Sequence, residues 1–411
     1  MWMKPRRPSE IWLRNSANAI AGHQTMGNSG KTYRVCILGC RGRGTAAGRA
    51  YHAHPRTEVV GLCDLKSDLL ATLGDDLGVA ARYTDLDQMI SELRPEIVAI
   101  PTGTEFHYEL SMRVLEYGVN IDVEKPICVD LVQADTVIKT AAHKGVRTAV
   151  HHQGRVGASM KAVSRAVKEG RIGRLRHVSA SGKGYYGGYG LMNIGTHLIN
   201  YILEIAGPCN RVSASALTNG KPIGPEDVLP SPSGMGTIAG EHITAYLEFE
   251  GNVTASLSQH RFPVVDSAAY AVEVFGTEGR LFWKSDGAWI LPSPHFVPEM
   301  EQWEPLPLDI PDQFDPSKSA EADFAFAGEF AACLDDAREH TCSGIEGRHV
   351  LEIMMGIFES AAYGMPVPLP QIRRDHPLLR WLDELNHDSP PPMPRGYVEW
   401  LAAEDERIGR A

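Results

Sequence analysis

The segment Gly39-Cys40-Arg41-Gly42-Arg43-Gly44 sets three glycines in a short run directly after the apolar stretch Val35-Cys36-Ile37-Leu38. Small residues at such a place let a backbone approach a pyrophosphate, and the start of a following helix offers unpaired N–H groups and positive potential. The spacing keeps the first and third glycines of G-x-G-x-x-G, as Gly39 and Gly44, and puts Arg41 where the second stands. Taken alone, the run reads equally well as a plain glycine-rich turn. Its surroundings favour a dinucleotide site: a strand before it, a helix after it, and Asp64 about 25 residues on, near the ~20 expected for the acid that accepts from the adenosine ribose. A carboxylate there repels a 2′-phosphate, so Asp64 favours NAD, whereas Arg41, Arg43 and Lys66 are nearby cations that would accommodate NADP.

Two further segments, Pro101-Thr102-Gly103-Thr104-Glu105-Phe106-His107 and Glu124-Lys125-Pro126, each close another apolar run. In open parallel sheets, ligands collect beyond the carboxyl ends of the strands, so Pro101, Thr102, His107, Glu124 and Lys125 are expected beside the cofactor. Lys125 could do chemistry. Desolvated, its basicity would fall towards neutrality and it could share in proton transfer with a substrate hydroxyl; otherwise it is a solvated lysine at a strand end.

The elements that must position these residues follow from the apolar pattern. Strands are expected at 34–38, 58–63, 97–100, 119–123 and 147–150, alternating with helices at 45–54, 67–77, 107–117 and 131–144. Short apolar strands alternating with helices imply an α/β doubly wound parallel sheet covered on both faces, a Rossmann domain over 33–152. After His152 the rhythm changes. Helices at 159–169 and 197–205 precede strands at 211–216, 242–248, 252–259, 269–275 and 279–283, which without intervening helices make a largely antiparallel sheet. Helices at 320–336 and 347–362 close this second, α+β substrate domain over 153–372. Residues 1–32 read as a polar arm, 292–316 as a proline-rich loop, and 373–411, with Ser389-Pro390-Pro391-Pro392, as an extended tail.

At 411 residues, two domains are the default. A formal charge of −11 argues against nucleic-acid and acidic-membrane partners, and no apolar run reaches the ~20 residues of a membrane span. The seven cysteines are odd in number and widely spread, without zinc-type spacing, so no metal site is expected and they read as buried thiols of a reducing compartment. Arg6-Arg7 is followed by no apolar stretch of signal length, which leaves a cytoplasmic protein as the expectation.

Glu124-Lys125-Pro126, with the glycine-rich turn and Pro101-Thr102, resembles the signature of the glucose-fructose oxidoreductase / inositol 2-dehydrogenase / rhizopine-catabolism (Gfo/Idh/MocA) family. The resemblance extends through Asn193-Ile194-Gly195-Thr196-His197-Leu198-Ile199-Asn200, similar to the family's D-x-G-x-H-x-x-D, and Gly347-Arg348-His349-Val350-Leu351-Glu352, to about residue 372. It implies an NAD(P)-dependent oxidoreductase that moves a hydride between the nicotinamide and a hydroxyl-bearing carbon of a sugar, glycoside or cyclitol. Lys125 and His197 would form the proton-handling pair. Both acidic positions of the helix motif are amides here, so Asn193 can orient a substrate hydroxyl but cannot take its proton.

Around this pair, Arg155 could hold a carboxylate bidentately or form an inter-domain salt bridge. Tyr186, in Gly182-Lys183-Gly184-Tyr185-Tyr186-Gly187-Gly188-Tyr189-Gly190, could offer a face to a polyhydroxylated ring or pack on the sheet. Two alternatives to simple dehydrogenation are redox-neutral glycoside cleavage through a transient keto-sugar and a non-catalytic cofactor-sensing regulator. The C-terminal strands carry apolar residues on both faces, as in Ala245-Tyr246-Leu247, so a homodimer or homotetramer through that sheet is expected.

Overall fold

Apolar strands whose side chains are buried on both faces need helices above and below them, and the N-terminal half supplies both. The computed structural model describes residues 30–295 and 303–410; most of the 1–32 arm and part of the 292–316 loop lie outside these. Strands β1 (Tyr33–Leu38), β2 (Thr57–Cys63), β3 (Arg82–Tyr83), β4 (Ile97–Ile100), β5 (Asn120–Val123) and β6 (Thr148–Val150) form one parallel sheet in the order β3-β2-β1-β4-β5-β6. All four residues of β4 are buried. The order reverses between β1 and β4, so the crevice beyond these strand ends is where a ligand fits this topology.

The intervening helices are α1 (Arg43–Ala53), α2 (Ser67–Leu77), α3 (Leu86–Leu93), α4 (Thr104–Glu116) and α5 (Leu131–Lys144). Helix α5 shows how local chemistry sets bounds: the Asp130 carboxylate accepts from Gln133 N–H at its start, and Gly145 ends it at φ 69°. Strand β3 and helix α3 are absent from the pattern-based expectation. Two residues are too few to show strand periodicity.

The second sheet is built on β7 (Leu175–Ser181), β8 (Cys209–Thr218), β9 (His242–Phe249), β10 (Thr254–His260), β11 (Ala271–Gly276), β12 (Arg280–Lys284) and β13 (Gly287–Leu291), in the order β13-β12-β11-β7-β10-β9-β8. Two-residue strands add to both edges. Only β7 and β10 pair in parallel. Its inner face carries Val178, Ala245, Leu247, Ala255 and Leu257, all buried. The outward positions are not the apolar surface expected: Thr244, Tyr246, Thr254 and Ser256 alternate with the buried residues, and all but Tyr246 are polar. Strand β7 was hidden for a related reason, since only Val178 and Ala180 of its seven residues are both apolar and buried.

Helices α6 (Ala158–Lys168), α7 (Thr196–Ala206) and α9 (Gly344–Tyr363) cover the inner face, whereas α8 (Glu321–Asp335) crosses to the first sheet. Phe326 and Phe330 of α8 share a core with Val35, Ile37, Tyr51 and Leu62. Burying a side chain of this size contributes about 1.5–3 kcal/mol, so the late helix α8 stabilises the early sheet. The last segment is not an extended tail. Pro377–Glu384 (α10) and Tyr397–Arg407 (α11) are helices, and Leu378 and Trp400 are fully buried; the proline run is confined to the link between them. All seven cysteines are buried free thiols, and no helix among the described residues is long and apolar enough to cross a membrane.

Candidate active site

The glycine-rich turn is held as a cradle. Gly44 lies so close to Gly39 that a Cβ there would stand 1.8 Å from the Gly39 carbonyl oxygen, which only glycine avoids. Gly42, at φ 43°, faces open space, with nothing within 4 Å of where a Cβ would be. Thr102, at the end of β4, lies against the turn and has a buried Oγ1 without a partner among the described residues. An open cradle, the first N–H groups of α1 and an unused hydroxyl fit a pyrophosphate-containing dinucleotide.

Asp64 accepts the Cys40 N–H at 2.7 Å through Oδ2 and the Lys66 N–H at 2.9 Å through Oδ1. It therefore braces the turn, and each oxygen retains a lone pair for a ribose hydroxyl. Cys40 takes part through its backbone, its thiol being buried and pushed up to about 12 by desolvation.

Three of the expected cofactor contacts are otherwise engaged. His107 is fully buried, with Nδ1 2.8 Å from the Pro126 carbonyl and Nε2 3.2 Å from that of Thr102. It clamps the loops after β4 and β5 together, with both ring nitrogens engaged. Arg43 pairs with Glu124 at 3.3 Å and Asp323 at 2.9 Å, so neither Arg43 nor Glu124 presents a free charge. Arg41 is exposed and unpaired among the described residues.

This ion pair belongs to a buried network that sequence reasoning missed. Tyr51 Oη donates to Asp122 at 2.9 Å, and His151 bridges Asp122 at 2.9 Å and Asp323 at 3.1 Å. Burial opposes charge on His151, but the two carboxylates outweigh it and raise it to about 10. Asp323 lies 172 residues beyond His151, so no local motif could have signalled it.

Lys125 is buried, and its ammonium donates to Asn193 O at 2.8 Å and Oδ1 at 2.9 Å. Asn193 sits in a π-helical turn, Leu191–Gly195, that leads into α7, a distortion common at functional sites. Its amide orients Lys125, the role expected towards a substrate hydroxyl being turned towards the lysine. Desolvation lowers Lys125 to about 8 against the opposing pull of Glu124, with Arg43 and Lys183 adding to the fall. His197, at the start of α7, is buried with Nδ1 unpartnered among the described residues. Burial first, then the charge of Lys125 and the neighbouring His152, hold it well below the usual histidine range. The His152 and His197 rings meet edge-on at 5.5 Å. The structure thus brings Lys125, Asn193, His197 and His152 together.

It does not add Arg155 or Tyr186 to them. Arg155 is neutralised by Glu204 at 3.0 Å and Glu346 at 2.9 Å, leaving no free fork for a carboxylate. Tyr186 is fully buried, its hydroxyl 3.1 Å from Glu404 and its ring edge-on to Trp400. It anchors α11 rather than facing a substrate.

Residues 33–152 match the family model described as an oxidoreductase family with an NAD-binding Rossmann fold, and residues 160–282 match the GFO/IDH/MocA C-terminal domain. D-apiose dehydrogenase of Paraburkholderia graminis is 23% identical over 84% of this chain and 92% of its own length. D-glucoside 3-dehydrogenase of Escherichia coli is 26% identical over 42% of this chain and 54% of its own. The fold is that of levoglucosan dehydrogenase, solved in complex with NADH and levoglucosan, at a TM-score of 0.67 and 18% identity, covering 83% of this chain and 100% of that one. The glycine cradle, the Lys125 site and both matched domains agree: the chain belongs to the Gfo/Idh/MocA family of NAD-binding oxidoreductases.

Proposed function

We propose that the chain is a dehydrogenase that oxidises a hydroxyl-bearing carbon of a sugar, glycoside or cyclitol, with Lys125 and His197 as its proton-handling pair. The observation that carries this reading is Lys125, buried beyond a strand end, held by Asn193 and lowered to about 8. A group with that value is matched to proton transfer near neutrality. Bound NAD supplies the hydride acceptor. Gly39, Gly42 and Gly44 would cradle its pyrophosphate, Asp64 its ribose, and Thr102 Oγ1 would find there the partner it lacks. Lys125 in its neutral form takes the hydroxyl proton. His197, kept uncharged by burial and by Lys125, can accept a hydrogen bond from the same hydroxyl or relay the proton onward. The names of the dehydrogenases similar to this chain support a sugar as substrate.

The outer face of the second sheet, with Tyr246 45% exposed among serine and threonine, is the surface we assign to a second copy, so we read the protein as a homodimer or homotetramer. The buried free thiols support a reducing, cytoplasmic setting. Incubation with NAD and a panel of sugars, glycosides and cyclitols, following nicotinamide absorbance and product mass, tests the activity. Product with one new carbonyl per NADH formed is the expected result, and product without net NADH would replace it with redox-neutral cleavage. A monomeric mass by light scattering at micromolar protein would remove the oligomer.

A further inference from the structure

The cations near the site are not equally satisfied. Arg43 and Arg155 each hold two carboxylates, and Lys125 holds both oxygens of Asn193. Lys183, just past the end of β7, has neither a carboxylate nor a hydrogen-bond acceptor for its ammonium among the described residues. What it has is the face of Tyr270, 5.0 Å from its Nζ.

This is not a lysine on a loose loop. Gly182 N–H donates to Ser258 O at 3.0 Å, Asp266 N–H to Lys183 O at 2.8 Å and Phe262 N–H to Gly184 O at 2.9 Å. A Cβ on Gly182 would stand 2.2 Å from Gln259 Oε1, and one on Gly184, at φ 90°, 2.5 Å from Phe262. The backbone on either side of Lys183 is therefore pressed into place. Half-buried, Lys183 has its own basicity lowered by desolvation, and it stands within electrostatic reach of Lys125. Tyr270 Oη donates to Tyr201 Oη at 3.1 Å, and the Tyr201 ring lies 6.3 Å from that of His197. An aromatic ladder thus runs from beneath Lys183 to the proton-handling pair.

A second unsatisfied donor packs against Gly182, the residue before Lys183. Gln259 is 2% exposed, and its Nε2 has no acceptor among the described residues. Its amide packs against Gly182 and the turn that carries Asn193, where a Cβ on Gly195 would stand 3.5 Å from Nε2. Desolvated donors without acceptors are costly, and one cation with one neutral N–H donor matches a monoanion with two oxygens.

We propose that Lys183, with Gln259 beside it, receives a carboxylate of the substrate, so that this chain acts on a sugar acid. The proposal rests on the dehydrogenase reading above and assigns to Lys183 the role that Arg155, with both its partners in place, cannot take. One ammonium and one N–H donor match the two oxygens and single charge of a carboxylate, whereas a phosphate ester brings three oxygens and nearly two charges.

NAD-loaded protein is offered D-glucuronate against D-glucose, D-gluconate against D-glucitol, and D-glucose 6-phosphate, with binding followed by tryptophan fluorescence and turnover by nicotinamide absorbance. The acid of at least one pair should bind at least ten-fold more tightly than its neutral partner. Lys183→Met should cut that preference by about ten- to hundred-fold, the scale of one hydrogen bond to a charged group. Lys183→Arg should restore most of it, and an unchanged NAD affinity reports an intact fold. Equal binding of acids and neutral partners, an acid preference unaltered in Lys183→Met, or a preference for the phosphate ester overturns the proposal. NADH formed from neutral sugars without acid preference removes the carboxylate site and leaves the dehydrogenase. Lys183-dependent binding of an acid, with no NADH from any compound, does the reverse.

Discussion

Lys125 Nζ donates to two oxygens of a single residue, the main-chain carbonyl of Asn193 at 2.8 Å and its Oδ1 at 2.9 Å. Both acceptors are neutral, so they orient the ammonium without the strong stabilisation a carboxylate would give. Asn193→Asp places a negative charge at that distance and raises Lys125 from its value of about 8. The base must be neutral, so the rising limb of the pH–rate profile should move up by about one unit or more, and kcat at pH 7 should fall. An unmoved limb would dissociate Lys125 from the titration.

Lys125→Met and His197→Ala should each slow single-turnover hydride transfer by about 10²–10⁴, the scale of a positioned acid or base. Because the two would share one proton path, the double variant should lose much less than the product of the single losses. NAD affinity should be nearly unchanged in His197→Ala. A near-wild-type rate in either single variant, with the fold intact, would remove that residue and turn attention to His152, whose ring meets that of His197.

Asp64→Ala should weaken NAD binding by about 1–3 kcal/mol, the cost of a hydrogen bond to a charged group. The loss includes the brace on Cys40 N–H as well as the ribose contact. With the carboxylate gone and the exposed Arg41 and Lys66 in place, the variant should accept NADP more readily. Titration of both cofactors against wild type and variant checks this, and a wild type already preferring NADP overturns the assignment.

Asp323→Ala removes a carboxylate from the buried His151 and, at the same time, from the partly exposed Arg43. Unpairing a buried charge costs about 3–5 kcal/mol, read as a lower denaturant midpoint. The pH dependence has a defined sign. His151 is raised to about 10 in the fold against about 6.5 unfolded. Its stabilising contribution is therefore complete below about pH 6.5 and is lost as pH rises through 10. The Asp323→Ala variant should show a flatter fall in Tm between pH 7 and 10 than the wild type.

Much of the framework was legible because its cause is local. Residues 131–144 form a helix where an Asp before and a Gly after an apolar repeat say they should, and Ile97–Ile100 is a strand because four buried apolar residues leave no alternative face. The cradle and Lys125 were legible for the same reason, each being set by its place after a strand. What stayed hidden depends on partners far along the chain. Nothing near Arg155 or Tyr186 announces that Glu346 and Glu404 will meet them, and His107 gives no local hint that two carbonyls enclose its ring. Strand β7 escaped because its outward positions carry Ser and His, which mark a loop as readily as a polar sheet face.

The anchoring of Tyr186 by Glu404 and Trp400 has a bearing on how the protein is made. These partners are 218 residues apart, so at about 5–20 residues per second a ribosome delivers Glu404 roughly 10–40 s after Tyr186. Through that interval the loop ahead of His197 lacks the helix that later seals it. The aromatic cluster of Tyr185, Tyr186 and Tyr189 is then a sticky surface on a nascent chain until α11 emerges and lays Tyr397 and Trp400 against it. Closure of this aromatic cluster thereby waits on residues made more than 200 positions later, and a chain cut between the two matched domains and Tyr397 would leave Tyr185, Tyr186 and Tyr189 without the rings that cover them.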